Sequence, residues 1–173
     1  MTVAEPAIGD AIRAAIEYLS AHPEEVRYTD SAASAVLDGG LRVTASGPDG
    51  AAITTDMPKS VGGEGEHPSP GWLLRASQAS CLATLIAMRA AEQSIDVGRV
   101  EVVVDSESDD RGILGMDASV PAGPLSSRAR VTLKPRGSDR ESLEALVHWA
   151  DEHCPVQDAV RRAIPCTVEL EVG

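Results

Sequence analysis

"WLLRASQASCLATLIAMRAAEQS", residues 72–94, decides the architecture. Its apolar residues Leu73, Leu74, Ala79, Leu82, Leu85, Ile86 and Met88 spread around nearly the whole circumference at helical spacing. A helix that is apolar on most faces is buried on most faces. The segment is therefore expected at the centre of the protein or in a subunit interface. "PKSVGGEGEHPSPG" (58–71), just before it, is loop chemistry throughout.

Upstream of that loop, Pro6 to Ser20 reads as an amphipathic helix with Ile8, Ile12, Ile16 and Leu19 at helical spacing, ended by "HPEEV" (22–26). Between Tyr28 and Asp56, turns at "DGG" (38–40) and "GPDG" (47–50) separate short stretches. "LRVTA" and "AAITT" flank the second turn, as an antiparallel hairpin or meander requires.

Downstream of the long helix, "GRVEVVVDSES" (98–108), "ILGMDASVPAG" (113–123) and "SRARVTLKP" (127–135) read as strands. In the last of these, Arg128 and Arg130 alternate with Ala129 and Val131. "SDRESLEALVHWADEH" (138–153) carries a capping-box pattern at Ser138 and Glu141, with Leu143, Leu146, Val147 and Ala150 in one apolar stripe. Pro155 opens another helix running to Ile164, Pro165 stops it, and "CTVELEV" (166–172) closes the chain as an alternating strand. Three strands, a long helix, three strands, two helices and a strand make an α+β domain.

The 173 residues suffice for one domain with a real core, plus a decorated terminus. Aromatic content is 2% with no Phe, so Ala, Val, Leu and Ile must build that core. A net charge of −12 argues against nucleic-acid and anionic-membrane partners, and favours a neutral or cationic small molecule over an anionic one. No apolar run approaches the roughly 18 residues that would span a bilayer. The N-terminus carries Glu5 and Asp10 without a basic leader, so no secretory signal is expected. Three widely spaced cysteines form neither a disulfide framework nor a zinc knuckle, which fits a reducing, cytoplasmic setting.

Cys154 precedes Pro155 at a helix N-terminus, where the dipole favours thiolate. Cys81 lies mid-helix, with Ser77, Gln78 and Leu85 one turn away and Leu74 and Met88 two turns away. A free cysteine there is most simply a small core hydrophobe, and its neighbours offer no cation. His148, His153 and Cys154, or His67 with Glu64 and Glu66, do not amount to a metal site, and no cofactor is expected. Cys166 reads as a packing residue, and Trp72 and Trp149 as core or interface anchors.

Taken together, "SPGWLLRASQASCLATLIAMRAAEQSIDVGRVEVVVDSESDDRG" and "LVHWADEHCPVQDAVRRAIPCTVELEV" resemble the OsmC/Ohr family of peroxidases and its OsmC-like relatives. The positions that carry the resemblance are Pro70, Cys81, Ile95 and Cys154-Pro155. The likeness runs from about Tyr28 to Val172, which divides the chain into an N-terminal helical extension (1–26) and an OsmC-like domain (27–173). It implies antiparallel sheets around two central helices in an intertwined homodimer, each site drawing on both subunits. It further implies that Cys81 attacks a hydroperoxide and Cys154 resolves the sulfenic acid as a disulfide, which a lipoyl-type dithiol or small thiol then reduces.

Within that resemblance, Leu82, Leu85 and Met88 would form an apolar pocket favouring organic hydroperoxides. Arg42 would activate Cys81, with Arg75 and Arg27 as fallbacks. The chain departs from the family pattern at Gly71, where typical members place a glutamate that holds the arginine over the cysteine. That departure favours a second possibility, a non-catalytic OsmC-fold protein binding a small apolar ligand in the dimer cleft.

Overall fold

The computed structural model describes residues 7–173. Helix α1 spans Ile8–Ala21, and Pro6 of the sequence reading lies outside the described residues. Strands β1 (Ser34–Gly39), β2 (Arg42–Ser46) and β3 (Ala52–Thr55) form an antiparallel meander in the order β1-β2-β3. Helix α2 (Pro70–Gln93) follows, then β4 (Arg99–Glu107), one short helical turn α3 (Asp110–Ile113), and β5 (Ser126–Lys134). Helices α4 (Arg140–His153) and α5 (Pro155–Arg161) end the regular structure. The chain is α+β with antiparallel sheets, as its sequence reads.

Helix α2 starts two residues before the apolar stretch. Ser69 is its N-cap, accepting from the Trp72 N–H at 3.2 Å, and Pro70 occupies the first turn. Within the chain α2 buries one stripe, Gln78, Leu82, Ile86 and Ala90, at intervals of four residues. It meets a matching stripe on α4, Leu146 and Ala150, continued by Cys154 just past the helix end. The expectation of burial on most faces is therefore corrected for the single chain: Trp72 and Met88 are exposed.

The β4–β5 ribbon covers this helix pair. It pairs without a break from Arg99↔Lys134 to Glu107↔Ser126, and Val100, Val102, Ala129, Val131 and Leu133 pack on the core. Arg128 lies on the other face and pairs with Asp105 at 2.9 Å, the alternation read from the sequence. Helix α1 lies along α2. A side chain at Gly9 would put a Cβ 2.5 Å from the Ala91 carbonyl oxygen, so glycine sets that close approach.

Four sequence readings are corrected. Residues 113–123 are not a strand. Asp109 caps the Arg111 N–H at 3.0 Å and Asp117 accepts from the Ser119 N–H at 3.0 Å, so local side-chain bonds fold the segment into turns. The cap of α4 is Asp139, accepting from the Ser142 N–H at 2.9 Å, whereas Ser138 donates to the Asp96 carbonyl at 2.9 Å. Helix α5 ends at Arg161 rather than Ile164. The 166–172 stretch pairs with no strand among the described residues, and Val168 is 95% exposed with Leu170 and Val172 close behind.

Candidate active site

Pro155 disfavours helical geometry in the residue before it, so Cys154 (φ −74°, ψ 112°) ends α4 and begins α5. The side chain at that joint continues the apolar stripe of α4 inward and is fully buried. There it meets Cys81 of α2, which is half-buried and packs against the same cluster. Cys81 thus borders the buried cluster to which Cys154 belongs, and neither cysteine is in a disulfide.

Burial pushes the Cys154 thiol above its ordinary range. The N–H groups of Gln157 and Val156 act in the opposite direction, and the neighbouring Cys81 adds to the rise. This corrects the sequence reading of Cys154 as a dipole-activated thiol. A short helix supplies two favourable N–H groups, but a fully buried sulfur has no water to support its charge.

Arg42 is exposed at the start of β2. It lines a small pocket of about 200 Å³ with Asp56, Gly63, Glu64 and Glu66, and neither cysteine lines that pocket. Asp56 organises the loop below it. Its carboxylate accepts from the N–H groups of Met57 (2.7 Å), Glu64 (3.0 Å) and Glu66 (3.3 Å). Burial pushes this carboxyl up, but the backbone donors of Met57, Glu66, Glu64 and Gly65 outweigh burial and hold it below the usual carboxylate range. Nothing in the residue pattern around Asp56 signals this role. Arg75, the first fallback, donates to the Ser106 hydroxyl at 3.2 Å, and Arg27 is exposed.

A cleft of about 1170 Å³ opens between α2, β5, α4 and α5. Leu74, Leu82, Leu125, Val131, Leu143 and Val147 supply its apolar walls. Of the three pocket residues named from the sequence, only Leu82 lines it. Leu85 packs on the core and Met88 is 37% exposed. Neither cysteine lines the cleft, but Gln78 and Gln157, one turn from each, do.

Among the described residues, no three His, Cys, Asp or Glu side chains converge as metal ligands. His148 pairs with Glu152 at 3.2 Å, and His153 stacks on Trp149 and bonds its carbonyl. No helix among the described residues is long and apolar enough to cross a membrane.

Gly71 leaves room where the resemblance asks for glutamate. A Cβ there would lie 3.9 Å from Ser69 Oγ and 4.0 Å from an Arg75 nitrogen, both ordinary contacts. Gly71→Glu is expected to pair with Arg75 one turn on and to complement the N-terminus of α2. It should stabilise the fold by about 1 kcal/mol in denaturant melts, since an exposed helical glycine costs about that much. An unchanged midpoint would mean that the glutamate finds no partner.

The fold and the paired thiols define a class first: an α+β protein with a free dithiol at the junction of a central helix and a helix pair. The chain belongs to the OsmC-like protein family, whose pattern it matches over residues 63–169, well over half its length. An organic hydroperoxide resistance protein OsmC from Legionella pneumophila has a similar structure (TM-score 0.58, 25% identity, covering 78% of this chain and 91% of that one). So does an OsmC-like protein from Mycoplasma pneumoniae (TM-score 0.67, 15% identity, covering 78% and 89%). The organic hydroperoxide resistance protein OhrB of Bacillus subtilis shares the fold as well (TM-score 0.52, 23% identity, covering 77% and 91%). No curated protein sequence matches the chain.

Proposed function

We propose that the chain is a cysteine-based peroxidase that reduces organic hydroperoxides in oxidative stress defence. The observation that carries this reading is that Cys81 packs against the buried cluster containing Cys154, the two positions where the sequence resembles the family. The Cys81 thiolate attacks the outer peroxide oxygen. The O–O bond breaks, the alcohol leaves with a proton, and Cys81 becomes a sulfenic acid. Cys154 then attacks that sulfur: an S–S bond forms, the S–O bond breaks, and water departs with the Cys154 proton. A dithiol restores both thiols by exchange.

The working unit in this reading is a homodimer. Support comes from apolar surface that one chain leaves uncovered: Val36 and Leu37 on β1, Trp72 on α2, and the Val168, Leu170, Val172 row of the C-terminal stretch. A second copy would cover these side chains, and its β1–β2–β3 meander would bring Arg42 to the cysteine pair. Val168→Asp combined with Leu170→Asp is expected to shift the protein from dimer to monomer in light scattering at micromolar concentration. Two carboxylates cannot be buried unpaired. A variant that stays dimeric would remove the terminal stretch from the interface.

The test of function is loss of cumene hydroperoxide in the presence of a dithiol, compared with protein-free buffer. Gly71 and the cleft of about 1170 Å³ favour a second reading, a non-catalytic protein binding a small apolar ligand. That reading survives if peroxide loss does not exceed the buffer rate.

A further inference from the structure

Gln78 is 1% exposed in a stripe otherwise made of Leu82, Ile86 and Ala90. Burying an amide among apolar residues is unfavourable unless every polar atom finds a partner. Here both ends do. Gln78 Nε2 donates to Gln157 Oε1 of α5 at 3.2 Å, and the Ser127 hydroxyl of β5 donates to Gln78 Oε1 at 3.1 Å. Gln157 also reaches the Asp151 carboxylate of α4 at 3.5 Å, and Arg161 donates to the Asp151 carbonyl at 2.9 Å and to its carboxylate.

The spacing gives this network its meaning. Gln78 lies three residues before Cys81 on α2, and Gln157 three residues after Cys154 on α5. The amide bridge and the thiol pair are thus successive rungs between the same two elements. Helix α5 has seven residues and buries none of them fully, so apolar packing alone holds it weakly.

We propose that Gln78 is a positioning residue for thiol–disulfide chemistry: through Gln157 it holds the first turn of α5, and with it the sulfur of Cys154, against Cys81. This rests on the reading of Cys81 and Cys154 as a redox pair. The bridge takes no part in breaking the O–O bond. Its effect falls on closure of the disulfide and on the equilibrium between dithiol and disulfide.

The test uses Gln78→Leu and Gln157→Leu, singly and together, in the full chain. With one equivalent of cumene hydroperoxide, oxidation of Cys81 is followed by dimedone trapping and closure by loss of free thiols. Cys81 oxidation is expected to stay within about twofold of wild type, while closure slows roughly tenfold in either single variant and no further in the double. Equal slowing of both steps, or closure at the wild-type rate, overturns the proposal. Equilibration with glutathione redox buffers reads the same geometry without peroxide, and a roughly tenfold shift toward the dithiol is expected in each variant. If wild type does not react with peroxide but the glutathione equilibrium shifts, the peroxidase reading fails and the positioning role stands. An unshifted equilibrium in correctly folded Gln157→Leu removes the positioning role.

Discussion

Cys81→Ser is expected to reduce hydroperoxide turnover to the protein-free rate, a loss on the order of 10³-fold or more, as when a covalent nucleophile is removed. Serine is close in size, and the half-buried site on α2 accepts it without repacking, so the fold should persist. Cys154→Ser should behave differently. A single equivalent of peroxide still oxidises Cys81, but no disulfide closes, and excess peroxide adds a second oxygen to give the sulfinic acid. Mass spectrometry separates these outcomes. Turnover in Cys81→Ser equal to wild type would end the peroxidase reading.

The pH dependence follows from the same pair. Burial holds Cys154 as the neutral thiol above the ordinary range. The nucleophilic thiolate thus forms at higher pH than in a free cysteine. Disulfide closure in wild type should therefore keep accelerating above pH about 8.5, where a free thiol is half ionised.

The largest effect on stability is expected at Ile86. It is 0% exposed, in the middle of the α2 stripe that faces Leu146 and Ala150. Ile86→Ala removes buried methyl and methylene groups and leaves a cavity that two packed helices cannot close, for about 2–5 kcal/mol. In a chain of this size that lowers the melting midpoint by roughly 5–15 °C, a large part of typical net stability. Met88→Ala, on the same helix but partly in water, should cost less than about 1 kcal/mol. Equal shifts from the two substitutions would contradict the placement of the core.

The elements legible in the sequence are those whose periodicity coincides with their burial. Helix α2 shows this at Leu82 and Ile86, and the β4–β5 ribbon at Val102 and Val131. Legibility failed where short polar side chains act on nearby backbone. Alternation in 113–123 resembles a strand, yet Asp109 and Asp117 turn the chain there. It failed again at the terminus, where the apolar alternation is real but pairs with no strand among the described residues.

The sequence singles out Cys81 and Cys154 by their contexts, and the structure places both at one buried cluster. The electrostatic balance at Cys154 was not legible. A proline-started helix advertises a dipole, and only burial reveals that desolvation outweighs it. Gln78 left one faint signal, an amide at the fourth-residue interval that Leu82, Ile86 and Ala90 extend, and sequence alone cannot say that Gln157 answers it.

The buried sulfur of Cys154 sits at the articulation between α4 and α5, so a disulfide formed there as proposed would be thermodynamically linked to the angle between those helices. Linkage of this kind is reciprocal. A contact that presses α5 toward α2 favours the disulfide and lowers its reduction potential, while a contact that pulls α5 away makes the pair easier to reduce. On the proposed redox reading, the mechanical compliance of one seven-residue helix tunes the poise of the cysteine pair.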